Sequence, residues 1–237
     1  MKRTNDDFYH KLISLVLPIT IQSFMLALVS ATDAMMLGLV DQTSLSAVSL
    51  AGQVQFVLSL FVTGMAAGMA IIIAQYWGKM DTVTIERVVP IALRMNLLFG
   101  SIFTIAALVC PELLMRFFTN DAALIAGGAD YLRAVSLSYI LCAVSQIYLT
   151  LLKNTDHAGL SSKISCVAVV LNIILNAILI FGLLGFPVLG IKGAAYAPVA
   201  ARVVELVWAY LETRRPGRVR VVWKGLLVRQ QELAKDF

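Results

Sequence analysis

An aspartate inside an apolar stretch is the first residue that could do chemistry. Asp33 sits in Ala31-Thr32-Asp33-Ala34-Met35-Met36, with Gln22-Ser23-Phe24-Met25 upstream. A carboxylate at the centre of a helix in hydrocarbon costs about 2.5–3.5 kcal/mol on insertion scales, so it faces a cavity, an ion path or a partner. Burial alone favours the neutral acid and a bound cation favours the anion, so such a residue suits uptake and release of a proton or a sodium ion. Hydration of Asp33 near the outer end of its helix is the alternative. It reads as the only acid well inside an apolar segment. Gln22, Ser30 and Asp33 fall within about 80° on a helix of 3.6 residues per turn, a polar stripe on one face. Pro18, below them, removes a backbone hydrogen bond and is a candidate hinge, moving or static.

A second polar face lies far along the chain. Asn172 and Asn176 are four residues apart, with Ser165 two turns earlier. Each amide offers a carbonyl oxygen to a cation and an N–H to a carboxylate. The pair is either a site wall or an interhelical tie. Counted from the expected cytoplasmic ends at 1.5 Å per residue, Asp33 and Asn176 both fall in the outer half of a bilayer, where they could meet. Gln55, Ser59 and Thr63 form a third stripe and are candidate cavity lining. The neighbouring Gly64-Met65-Ala66-Ala67-Gly68 reads as helix packing.

Enzyme signatures are absent. His10 and His157 lie outside the apolar stretches, and no His-x-x-x-His, Cys-x-x-Cys or phosphate-binding Gly-x-x-x-x-Gly-Lys-Ser/Thr occurs. Cys110, Cys142 and Cys166 are widely spaced packing residues rather than a disulfide framework or a metal cluster. No enzyme activity and no cofactor are expected.

The elements that must position these residues are membrane helices. Of 237 residues, 59% are hydrophobic and 14% charged, against about 45–50% and about 25% in an ordinary soluble domain. Six apolar segments, roughly 12 to 40, 46 to 77, 88 to 110, 122 to 152, 161 to 184 and 191 to 212, are each long enough to cross about 30 Å of hydrocarbon. Turn and charge signals separate them: Asp41-Gln42, Gly78-Lys79-Met80-Asp81, Pro111-Glu112, Asn154 to His157, and Gly185-Phe186-Pro187. The fourth begins amphipathically, with Asp130 and Arg133 at the membrane surface. Trp77 and Trp208 stand where interfacial aromatic belts occur.

Of nineteen Lys and Arg, fourteen lie in the amino terminus, the second and fourth loops and the tail. That asymmetry places both termini in the cytoplasm of a multi-pass protein. The net charge of +5 is therefore a matter of topology and anionic lipid, and no nucleic-acid partner is expected. The expected fold is all-α, a polytopic six-transmembrane-helix bundle spanning 1–212, followed by a basic cytoplasmic linker or tail over 213–237.

The run Asn172-Ile173-Ile174-Leu175-Asn176-Ala177-Ile178-Leu179-Ile180-Phe181-Gly182, with Gly185, Pro187, Gly190 and Gly193-Ala194-Ala195 after it, resembles the fifth-to-sixth helix signature of bacterial multidrug and toxic compound extrusion (MATE) transporters. Pro18 with Asp33 is similar to the family's first helix, and Gly68 through Ala74-Gln75-Tyr76-Trp77-Gly78 to its second. The resemblance implies an antiporter in the bacterial inner membrane that exports amphiphilic, often cationic compounds against inward flow of sodium or protons. It also implies two six-helix lobes forming a V, and a coupling-cation site at Asp33, Asn172 and Asn176 with a bend at Pro18. Some relatives carry an acid where Asn176 stands; here one buried carboxylate remains, and sodium and proton coupling stay open. The chain is similar to an amino-terminal half, so the implied partner is a second lobe or a second copy. Two other readings stand beside it. One is a lipid-linked saccharide flippase of the same superfamily, which needs a basic cavity. Its candidates are Arg94, Arg133 and Arg202, each near enough to a helix end to snorkel. The other is a non-transporting half-transporter fragment or subunit.

Overall fold

The computed structural model describes the backbone of residues 2–219 and 221, and the side chains of that range apart from residues 2–12, 14, 15, 18 and 30. The chain runs α1 (Lys2–Val40), α2 (Gln42–Gly78), α3 (Thr82–Val109), α4 (Pro111–Arg116), α5 (Ala122–Val135), α6 (Leu137–Asn154), α7 (Ala158–Phe181), a 3-10 turn (Leu183–Gly185) and α8 (Ile191–Thr213). No strand occurs among the described residues. Among the described residues five helices are individually long and apolar enough to cross a membrane, and α5 with α6 makes a sixth crossing when taken as one bent span.

Helix starts follow local chemistry. The Asp41 carboxylate accepts from the Ser44 N–H at 3.0 Å, and Asp81 accepts from the Thr84 N–H at 3.0 Å and its hydroxyl at 2.6 Å. Each satisfies donors that the first turn leaves orphaned. Gly182 ends α7 in the left-handed region with φ 68°, and a Cβ there would meet Val188 Cγ2 at 2.7 Å. Only glycine suits this turn.

The fourth expected segment, 122 to 152, is not one straight helix. It breaks at Ser136 with a bend of 47° between α5 and α6. The Ser136 hydroxyl donates to the Arg133 carbonyl at 2.8 Å, and the Ser136 carbonyl accepts from Thr104 Oγ1 at 3.1 Å. A hydroxyl competing for a carbonyl one turn back, with an outside donor inserted into the ladder, is a physical cause of bending.

Helices approach closely where side chains vanish. A Cβ on Gly193 would lie 2.7 Å from the Leu179 carbonyl, so α7 and α8 touch backbone to backbone. A Cβ on Gly100 would lie 2.9 Å from Ala143 Cβ, joining α3 to α6. One core cluster, around Met69, Ile85, Leu93, Tyr148 and Leu151, fills one end of the bundle. Another, around Val54, Leu58, Leu132 and Tyr139, fills the other. Phe24, Met35 and Leu39 stand largely exposed on α1, as expected of side chains that meet hydrocarbon.

Beyond Thr213 the chain does not leave the bundle at once. Val219 and Val221 are buried against the cluster of Met69, Ile73 and Tyr148. Buried Glu212 reaches Arg215 at 3.2 Å and Arg218 at 2.9 Å. The start of the expected tail is thus packed; residues 222–237 lie outside the described residues.

Candidate functional site

Helices α1 and α7 are tied at two levels. Asn176 Nδ2 donates to Asp33 Oδ1 at 2.6 Å, and Gln22 Nε2 donates to Ser165 Oγ at 2.8 Å. Both ties join residues 143 apart in sequence. A constant offset means that the two helices run parallel and in register. Each pair of levels is eleven residues apart, about three helical turns. Hydroxyl and amide groups therefore recur on the facing stripes.

At the upper level the sequence stripes meet as expected. Asn176 Nδ2 also reaches Asn172 Oδ1 at 3.3 Å, so one amide group bridges the carboxylate and the second asparagine. Asn176 is 1% exposed, and its Oδ1 has no hydrogen-bond partner among the described residues. Three oxygen-bearing side chains, Asp33, Asn172 and Asn176, thus gather at one point with one acceptor unspent. Asp33 and Asn172 open onto a cavity of about 380 Å³ between α1, α2, α5, α6, α7 and α8.

Not every candidate belongs to this cavity. Gln55 lines it, but Ser59 and Thr63 do not. The cavity extends along α2 only from Leu45 to Gln55; one and two turns further on, the Ser59 hydroxyl is spent on the Phe56 carbonyl. Gln22 is on the stripe yet occupied by Ser165 and, at 3.5 Å, Ser162, three turns below Asp33. The side chains of Pro18 and Ser30 lie outside the described residues. Arg133 does lie at a helix end, ion-paired with Glu112.

The cavity holds Glu205, a charge that the sequence reading missed, and Arg202, which that reading named only as a candidate of the flippase alternative. Glu205 is 2% exposed. Arg202 NH1 donates to Glu205 Oε2 at 2.5 Å, and Ser145 Oγ donates to the same oxygen at 2.9 Å. Asp33 is therefore not the sole acid inside an apolar segment. Arg202 does not snorkel either, because Glu205 three residues on holds it inward. That spacing was the available signal. By formal charge Asp33 and Glu205 outnumber Arg202 by one, and the hydrogen-bonding partner of Asp33 among the described residues is an uncharged amide. Among the described residues no group of three His, Cys, Asp or Glu gathers as a metal cage.

Five or six apolar crossings around a charged, buried cavity define a multi-pass membrane protein with an internal binding site. The family model described as MatE matches residues 18–178, and the chain belongs to that family. It is 33% identical over 183 residues to a probable multidrug resistance protein, NorM, of Rhizobium meliloti, covering 77% of this chain and 38% of the relative. It is 28% identical over 162 residues to the probable multidrug resistance protein YoeA of Bacillus subtilis, covering 68% and 35%. A MATE family transporter of the MOP superfamily, solved in an outward-facing conformation, shares the fold at a TM-score of 0.83 and 23% identity over 94% of this chain and 49% of its own. The chain therefore spans less than half the length of the relatives it matches, about one lobe.

Proposed function

We propose that this chain is one lobe of a cation-coupled antiporter that expels amphiphilic, cationic compounds, and that Asp33 is the coupling carboxylate. One observation carries the reading: a cavity-lining carboxylate that, among the described residues, is satisfied only by an amide N–H, beside two further amide oxygens. A proton can add to Asp33 Oδ2 while the Asn176 N–H goes on donating to Oδ1, with no rearrangement. A sodium ion needs the Asn176 amide to turn so that its unpartnered oxygen joins Asp33 and Asn172, since an N–H donor repels a cation. The same carboxylate would attract a cationic substrate, so ion and drug exclude each other at one charge, the requirement for exchange. The naming of relatives as multidrug resistance proteins supports the substrate class.

A flippase for pyrophosphate-linked lipids needs a basic cavity, and here two carboxylates outnumber one arginine. A single lobe presents one wall of a transport path, and alternating access needs a second bundle to rock against it. The partner is a second lobe or a second copy of this chain.

Everted membrane vesicles holding the chain, alone or with a second six-helix lobe, test this by ethidium transport under an imposed proton or sodium gradient. Gradient-driven transport is expected only where two lobes assemble, and Asp33→Asn abolishes it. Transport by a demonstrated monomer, or unchanged transport by Asp33→Asn, overturns the proposal.

A further inference from the structure

The α8 charge pair makes no hydrogen bond to the Asp33, Asn172 and Asn176 cluster, yet it is set into the same cavity. Ion pairs within a membrane bundle are expensive, and apolar replacements of a buried pair are often no less stable. Stability alone therefore does not account for Arg202 and Glu205. Their hydrogen bonds are unevenly spent. Both bonds to Glu205 converge on Oε2, and Arg202 uses one of the five N–H donors a guanidinium carries. The other four have no hydrogen-bond partner among the described residues, on a side chain that is 27% exposed and lines the cavity. A second observation lies on the same lining. Ser138, 2% exposed, has a buried hydroxyl with no partner among the described residues.

We propose that Arg202, with Ser138, forms a carboxylate-binding subsite, so that the cavity selects amphiphiles carrying one carboxylate as well as a cationic centre. The inference rests on the reading of the Asp33 cavity as the substrate cavity. The forked guanidinium matches the two oxygens of a carboxylate. One arginine hemmed in by Glu205 and Asp33 does not balance a doubly charged phosphate, so the ligand group is singly charged. Glu205 is the positioning residue, holding the guanidinium in the cavity where it would otherwise extend to an interface. Cys142 and Ser145 are the other polar side chains of α6 beside the pair. The cationic end of the same molecule faces Asp33. A cavity of about 380 Å³ is of the size that holds drug-sized ligands, about 300–1,000 Å³.

Binding of rhodamine B, which bears a carboxylate, and of its ethyl ester, which does not, tests this with the chain in lipid nanodiscs, by fluorescence anisotropy. The wild type binds rhodamine B more tightly than the ester. Arg202→Gln loses about tenfold more affinity for rhodamine B than for the ester, the worth of a charged hydrogen bond. Should the lone charge on Glu205 prevent folding, Arg202→Gln with Glu205→Gln keeps a neutral hydrogen-bonded pair and gives the same selective loss. Arg202→Lys, which keeps the charge without the fork, recovers part of it. Equal affinity for the two dyes in the wild type, or equal losses in the variants, overturns the subsite. Asp33→Asn weakens both dyes. If it weakens neither while the Arg202 effect stands, the cation reading of Asp33 fails and the subsite survives. Binding of neither dye to the wild type overturns both.

Discussion

Single side chains decide what the cavity can hold, and Asn176 is the pivot because one amide serves Asp33 and Asn172 together. Asn176→Ala removes an interhelical bond of the kind commonly worth about 0.6 kcal/mol and at most about 1.7 kcal/mol in membranes. A small drop in melting temperature in detergent is expected, with a larger loss of coupling. A large collapse of stability would mean that the asparagine is mainly a helix tie. At the membrane edge, Asp81 behaves differently. The Thr84 hydroxyl, and then the Thr84 N–H, hold its carboxyl below the ordinary range. A depressed folded value contributes stability that is present above the unfolded value, near pH 4, and is lost as pH falls through the folded one. Acid unfolding of Asp81→Asn therefore begins from a lower stability and varies less below pH 4; an unchanged acid profile contradicts the cap. The meeting of Asp33, Asn172 and Asn176 was legible because lone polar groups in apolar helices have few physical alternatives. Glu205 escaped because an acid three residues from Arg202, itself read as near enough to a helix end to snorkel, gives no sign of burial until α6 is seen packed over the pair. Ser138 carried no signal at all, since serine is ordinary in a membrane helix.

Helices meet where glycine removes the side chain, and the contacts distinguish two kinds of glycine. Gly193→Ala pushes a methyl into the Leu179 carbonyl, so a lowered melting temperature is expected. At Gly64 a Cβ would meet nothing within 4 Å. Gly64→Ala should leave the isolated lobe unchanged or more stable by up to about 1 kcal/mol, since alanine favours helix. Equal effects of the two substitutions would contradict the packing described. The Gly64-to-Gly68 spacing reads as helix packing, yet among the described residues no helix meets Gly64, whose face is open on α2. Five element boundaries were readable from Gly, Pro and Asp signals, because caps and turns demand those residues locally. The bend at Ser136 was not, because it depends on Thr104 from another helix. The short α4 was likewise hidden: Pro111 marked a break, and a six-residue helix within it has no periodicity to read.

For the whole molecule, α1 and α7 run parallel with a shared register, and six helices wall the cavity in which we propose that a cation is held. Transport asks more, because the exposed apolar faces and the cavity mouth need a facing bundle. Size measured in detergent with lipid retained should therefore show self-association or capture of a second lobe. Fold class was legible from composition alone, since so much apolar surface has no place in a soluble domain. The claim on which the account turns is that Asp33 exchanges a small cation for a cationic ligand. Ethidium binding to the chain in nanodiscs, titrated at rising proton and at rising sodium concentration, tests it most directly. The account predicts that one of the two ions weakens ethidium binding competitively in the wild type, and that Asp33→Asn removes that dependence. Competition that persists undiminished in Asp33→Asn, or ethidium binding indifferent to both ions in the wild type, would contradict it.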